Sequence, residues 1–139
     1  MRILVAGWHG QVARGLSAAA ARRSDVEAYA VGRPALDLCD RPSVGRALFG
    51  IAPDVIINTA AYTDVEGAES EPEIARRRNT DGAAALARQA ARIGVPVIHL
   101  STVYVFDGEK VGPYVETDET APINAYGISK RDGEAAVVA

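Results

Sequence analysis

Tyr126 and Lys130 stand four residues apart, a spacing that puts a phenol and an ammonium on one face of a helix, a turn from each other. A phenol titrates near ~10 and is a slow acid–base group at neutral pH. A neighbouring ammonium favours the phenolate and is expected to draw that value down toward the working range. Such a pair suits proton transfer at a carbonyl or alkoxide oxygen. Alone, a Tyr-x-x-x-Lys spacing is common on solvated helix faces, so its meaning depends on what accompanies it. Two features do. Ser101-Thr102 follows an apolar run, so the Thr102 hydroxyl would sit at a strand end and could bond a substrate oxygen. Gly7-Trp-His-Gly10 lies between the first apolar run and the first helical stretch. Glycine there lets backbone approach a pyrophosphate, and a helix N-terminus faces the anion.

The turn has the spacing G-x-x-G-x-x-A, with Ala13 where a third glycine would allow close helix–strand packing. Trp8 and His9 fall at its tip, and His9 reads as exposed. The second strand ends Val31-Gly-Arg33 without an acidic residue. An acid there would bind an adenosine 2′-hydroxyl, whereas Arg33 could pair with a 2′-phosphate, which favours NADP(H) over NAD(H). Asp37 and Leu38 could border an adenine. Small residues after Asn58 would let a cofactor lie over the strand end. Arg76-Arg77-Arg78 would fan across roughly 200° of a helix, so one of them must lean toward the sheet. Asn79, a mediocre helix former in mid-helix, invites a hydrogen-bonding role. His99 reads as a satisfied core histidine, and Cys39, the single cysteine, as a small apolar filler.

These side chains need a scaffold, and the pattern supplies one. Ile3–Ala6, Val26–Val31, Asp54–Asn58 and Val95–Leu100 are apolar runs of buried-strand type. Helical stretches over Gln11–Arg23 (Val12, Leu16 and Ala19/Ala20 recurring), Ser43–Phe49 with Ser43 as cap, and Glu71–Ile93 with Leu86, Ala90 and Ile93 buried alternate with them. The segment 102–122 is a loop, and Ala125 opens a last helix. Strand–helix alternation of this kind predicts an α/β fold, a Rossmann-like doubly wound parallel sheet in three αβα layers. At 139 residues, 1–139 reads as one domain. A net charge of −3 gives no basic footprint for nucleic acid. One cysteine excludes an internal disulfide and offers no metal cluster. No apolar stretch is long enough for a signal peptide or membrane span, so a cytoplasmic location is expected.

The chain resembles the extended short-chain dehydrogenase/reductases, and within them the dTDP-4-dehydrorhamnose reductases. The runs that carry the resemblance are Arg2-Ile-Leu-Val-Ala-Gly7, Gly10-Gln-Val12, Leu36-Asp-Leu38, Pro53–Asn58 with Ala60–Thr63, Ala68-Glu-Ser-Glu-Pro72, Ser101–Gly108, Tyr114, Glu116–Asp118, Pro122 and Asn124–Lys130. The resemblance implies NAD(P)H-dependent reduction of the C4 carbonyl of dTDP-4-dehydro-6-deoxy-L-mannose to dTDP-L-rhamnose. Tyr126 would be the proton donor, Lys130 would tune it and hold the nicotinamide ribose, and Thr102 would orient the carbonyl. Gly7, Gly10, Gln11, Val12, Arg33, Asp37, Leu38, Ala60, Ala61, Tyr62 and Asn79 would bind the cofactor. Mg²⁺ and homodimer formation are implied by the resemblance alone.

The chain departs from the family at Val103, where an Asp usually follows Ser-Thr and helps position substrate, and at Arg78, where a small apolar residue usually precedes the asparagine. It also ends where family members continue for about as long again, so it reads as an N-terminal part, without the last strands and the substrate-binding portion. Related chemistries fit less well. Sugar-nucleotide dehydratases place Asp-Glu after the threonine, and epimerases usually carry Val-Tyr-Gly. A non-catalytic NADP-binding subunit, like the regulatory β-subunit of methionine adenosyltransferase, is the alternative.

Overall fold

The computed structural model describes all 139 residues. Four short strands form one parallel sheet: β1 (Arg2–Ala6), β2 (Glu27–Val31), β3 (Val55–Asn58) and β4 (Val97–His99), in the order β2-β1-β3-β4. The register pairs Leu4 with Tyr29 and Ile56, and Ile57 with Ile98. Chain order reverses beside β1: the connection from β1 runs to one side, to β2, and the next crosses to the other, to β3. In open parallel sheets ligands bind beyond the strand ends at this kind of switch.

Alternate side chains of each strand serve opposite faces. Leu4, Ala6 and Ile56 join Leu36, Leu38, Val44, Leu48, Leu86 and Ala90 in the main core. They pack against helices α2 (Arg41–Ile51) and α5 (Gly82–Arg92). The other face meets α1 (Gln11–Ala20) through Ala13, Leu16 and Ala20. Val12 is exposed, contrary to the expected stripe, whereas at the Ala19/Ala20 position Ala20 is the buried member. Ala13 is fully buried, as a small residue must be where the helix leaves the glycine turn and lies on the strand.

Several element boundaries differ from the sequence expectation. Asp40, not Ser43, caps α2, accepting from the Ser43 N–H at 3.2 Å. The Ser43 hydroxyl is buried and bonds Asp37 instead, donating to its carbonyl at 2.8 Å and accepting its N–H at 2.9 Å. The expected helix over 71–93 is three pieces: α4 (Pro72–Arg76), a wide π-turn (Arg77–Asp81) and α5. A separate helix α3 (Val65–Ser70), capped by Asp64, precedes them. Ile93 lies past the end of α5 and is half exposed rather than part of the buried stripe. A 3₁₀ turn (Val103–Val105) follows β4, and α6 (Ala125–Val138) completes the chain. No helix is long and apolar enough to cross a membrane.

Candidate functional site

The glycine turn is built by backbone constraint. Gly7 has φ +105°, and a Cβ there would lie 2.7 Å from the Thr59 hydroxyl oxygen, so a side chain is excluded on both counts. Gly10 precedes α1, whose first turn has no side-chain cap and no acidic residue, so its N–H groups stay open to an anion. Beside the turn lies a pocket of about 830 Å³. Gly7 and Gly10 form one wall, Ala60 and Ala61 another, and Leu38 with Asp37 a third. Arg33 also lines it, so seven of the residues singled out for the cofactor converge on one cavity. Gln11 and Val12 occupy the exposed first turn of α1 outside the lining.

Trp8, His9, Thr59 and Arg77 line the same pocket and were not singled out for it. Trp8 folds over the second strand's exit, where a Cβ on Gly32 would collide with its indole ring. That contact depends on which loops meet in space, and no local pattern announces it. Cys39 is not a core filler: it stands half-buried in the pocket wall, with its thiol turned to the Arg77 carbonyl at 3.6 Å. Burial and the Asp37 carboxylate push that thiol above its ordinary value, so it is not an activated nucleophile.

Asn79 does not line the pocket, and neither does Tyr62. The Asn79 side chain is buried behind it and all its main bonds go to the protein. It accepts the Tyr62 N–H at 2.7 Å and donates to the Tyr62 carbonyl at 3.0 Å and to the Ser129 hydroxyl at 2.9 Å. Thr80 adds a bond from its hydroxyl to the Ser129 carbonyl at 2.8 Å. The π-turn thus ties the loop after β3 to α6.

α6 carries Tyr126 and Lys130 on its buried face, with the Lys130 side chain only 3% exposed. Asn124 caps the helix, accepting the Gly127 N–H at 2.7 Å. Gly127 has no room for a Cβ, because the Tyr104 carbonyl lies against it. That contact brings the segment after β4 onto the helix. Thr102 caps the 3₁₀ turn, accepting from the Tyr104 N–H at 3.3 Å. The Tyr104 ring meets the Tyr126 ring edge-on at 5.8 Å. Val103, next to Thr102, is 78% exposed. Thr102, Tyr126 and Lys130 therefore gather beyond the carboxyl end of β4.

The electrostatics differ from the expected pairing. Lys130 turns its ammonium to the Leu100 carbonyl at 2.6 Å, and burial lowers its ordinary value, opposed by Glu134 one turn on. Burial raises the Tyr126 phenol, Thr102 opposes that rise and Tyr104 adds to it. Without a ligand the phenol is held neutral, and proximity in sequence to the lysine does not lower it. His99 is also only partly as expected. Its Nδ1 meets the Asn58 amide at 3.0 Å, while Nε2 is buried with no partner.

An open parallel sheet with helices on both faces, and a glycine turn at its first strand end, defines a Rossmann-like α/β protein. Over residues 1–139 the sequence matches the family model described as RmlD substrate binding domain, and the chain belongs to that family. It is 54% identical over 137 residues to a dTDP-4-dehydrorhamnose reductase of Sinorhizobium fredii, covering 99% of this chain and 46% of that one. It is 42% identical over 139 residues to the Escherichia coli K12 protein of the same name, with the same coverage. Among solved structures, a dTDP-4-dehydrorhamnose reductase from Clostridium acetobutylicum superposes with a TM-score of 0.94 at 35% identity, covering 99% of this chain and 49% of that one. The Bacillus anthracis reductase, solved in complex with NADP, gives 0.91 at 33% identity with the same coverage. The chain thus spans about half the length of the relatives it matches.

Nothing in the pocket conflicts with a dinucleotide: a glycine cradle that a Cβ would fill, an uncapped helix start and unpaired guanidinium groups suit a pyrophosphate and its ribose. The fit to Mg²⁺ is different. No three His, Cys, Asp or Glu side chains come together to hold a metal ion.

Proposed function

We propose that this chain is the cofactor-binding domain of an NAD(P)H-dependent reductase that converts the C4 keto group of dTDP-4-dehydro-6-deoxy-L-mannose to the alcohol of dTDP-L-rhamnose. The observation that carries this reading is the gathering of Thr102, Tyr126 and Lys130 beyond the end of β4, on the sheet edge that also bears the glycine-turn pocket. The relatives named above support the substrate class.

When bound, the nicotinamide supplies the hydride that reaches C4. This chain's residues handle the proton and the geometry. The neutral Tyr126 phenol is in the correct state to give its proton to the oxygen as negative charge develops there. The Thr102 hydroxyl bonds the same oxygen and holds the carbonyl in line. Lys130 keeps ammonium donors beyond the one given to Leu100. These bind the ribose hydroxyls and stabilise the phenolate left after proton transfer. Gly7, Gly10, Asp37, Leu38, Ala60 and Ala61 hold the cofactor in the pocket along the strand ends, with Gln11, Val12 and Tyr62 flanking it outside the lining, and Asn79 fixes the loop after β3 that carries Ala60, Ala61 and Tyr62. Arg33 favours NADP(H), with NAD(H) accepted. Val103 leaves an apolar surface beside the reacting carbonyl.

The test replaces Tyr126 by Phe in a chain that also carries the half by which the relatives are longer. Loss of the donor should lower kcat for NADPH-dependent reduction by about 10²–10⁴-fold with little change in cofactor affinity. Undiminished turnover would remove Tyr126 from the mechanism.

A further inference from the structure

Three guanidinium groups reach the same end of the pocket from two directions. Arg33 comes from the exit of β2, and Arg77 and Arg78 come from the π-turn opposite. All three bear electrostatically on the Cys39 thiol, which marks the corner where they meet. None of them takes part in an ion pair or a side-chain hydrogen bond, although each has five N–H donors. Arg76, the next residue in the chain, is the contrast. It is neutralised by Glu73 at 3.2 Å and Asp81 at 2.9 Å on the solvent side. Arg78 is half-buried and rests only on the Tyr62 ring, 5.6 Å from its centroid. One carboxylate, Asp37, lines the corner, and its Oδ1 accepts the Cys39 N–H at 2.9 Å.

We propose that Arg77 and Arg78, together with Arg33, form a phosphomonoester site that reads the 2′-phosphate of NADP(H), so that dinucleotide selectivity rests on the π-turn as well as on the residue after β2. This rests on the cofactor-site reading above. The charges match: three guanidiniums and one carboxylate leave a surplus of two positive charges, and a phosphomonoester carries about −1.5 to −2 at pH 7. The geometry matches as well. Planar guanidinium forks suit phosphate oxygens, and a dianion held from both sides uses donors that now have no protein partner. The wide turn matters because it carries Arg77 and Arg78 to the pocket while Arg76 stays outside and Asn79 stays inside.

Calorimetric titration of the chain with NADPH, NADH, adenosine 2′,5′-bisphosphate and adenosine 3′,5′-bisphosphate tests this without turnover. NADPH should bind at least about tenfold more tightly than NADH, with the advantage shrinking as salt rises. The 2′-phosphate nucleotide should exceed its 3′ isomer. The double variant Arg77→Gln with Arg78→Gln should cut the NADPH/NADH preference about three- to tenfold and leave the NADH Kd within about twofold, and Lys at both positions should restore part of it. Preference unchanged in the double variant but lost in Arg33→Gln would overturn the role of the π-turn while leaving the cofactor site intact. Equal preference for the two bisphosphates would assign the corner to phosphate in general and sink the 2′ assignment. Absence of binding by either dinucleotide would overturn the cofactor-site reading and this proposal with it.

Discussion

Burial at the carboxyl end of β4 acts on three ionisable side chains in opposite senses: it raises the Tyr126 phenol and lowers both the Lys130 ammonium and the His99 imidazole. In each case the neutral form is favoured, because low-dielectric surroundings penalise whichever form is charged. The spacing of Tyr126 and Lys130 was legible in the sequence. The direction of the phenol's shift was not, because it depends on where Lys130 sends its ammonium, and the Leu100 carbonyl that takes it belongs to another element. His99 shows the same logic with a measurable consequence. Asn58 Oδ1 accepts the Ala60 N–H at 3.2 Å, which turns the amide NH₂ toward His99 Nδ1. Nδ1 therefore accepts, and the proton sits on the unpartnered Nε2. Burial and the nearby Lys130 charge lower the imidazole from 6.5 to about 4. A folded-state value below the unfolded one means stability present above pH 6.5 and lost as pH falls through about 4. In a dry site a shift of this size would cost about 3 kcal/mol, but the ring is partly solvated and about 1–2 kcal/mol is expected. Urea denaturation at pH 7 and pH 4.5 should show this loss in the native sequence and much less of it in His99→Gln. An equal acid loss in both would rule out His99 as its source.

The π-turn is the element the sequence hid. Glu71–Ile93 reads as one helix because Leu86 and Ala90 keep a helical spacing after the turn and Pro72 marks a helix start before it. One wide turn between two well-formed segments leaves both patterns intact. What forces it is tertiary. Asn79 must reach Tyr62 and Ser129 together, and Gly82 must pass Leu38, whose Cβ would lie 2.9 Å from a Cβ on that glycine. Asn79 in mid-helix was the visible clue. Its partners, fifty residues away at Ser129 in one case, were not. α3 escaped for a related reason: Val65–Ser70 is too short for its periodicity to register, and its Asp64 cap emerges only in the structure. The energetic prediction belongs to this element. Asn79→Ala removes both partners of the Tyr62 peptide groups inside a closed network, which should cost about 2–4 kcal/mol in urea denaturation. Asn79→Asp keeps the acceptor for the Tyr62 N–H but turns a second acceptor toward the Tyr62 carbonyl, so it should recover little. Full stability in the aspartate variant would mean that the two donated bonds are dispensable.

Across the whole molecule, the strands, their order in the chain and the placement of Thr102, Tyr126 and Lys130 at one sheet edge follow from patterns visible in the sequence, because buried parallel strands are continuous apolar runs and right-handed crossovers leave few topologies. The sheet has two edges, β2 and β4, and the β4 edge lies beside the candidate catalytic groups. Parallel pairing sends alternate peptide groups to opposite neighbours. Ile56 N–H bonds the Pro96 carbonyl at 3.0 Å and Leu100 N–H bonds the Asn58 carbonyl at 3.2 Å, so residues 96, 98 and 100 face β3. Val97 and His99 must then direct their N–H groups away from the sheet. The same edge carries Ile98, whose side chain is 55% exposed. Native-state amide exchange should separate these sets: Ile98 and Leu100 protected, Val97 and His99 faster by about tenfold or more. A chain that carries the second half present in the relatives should slow Val97 and His99 specifically if that half adds a strand here, and should bind NADPH more tightly because α6 is then held from both sides. Uniform protection across residues 97–100 in the 139-residue chain would show that the β4 edge is already covered, and with it the expected gain in cofactor affinity would lose its basis.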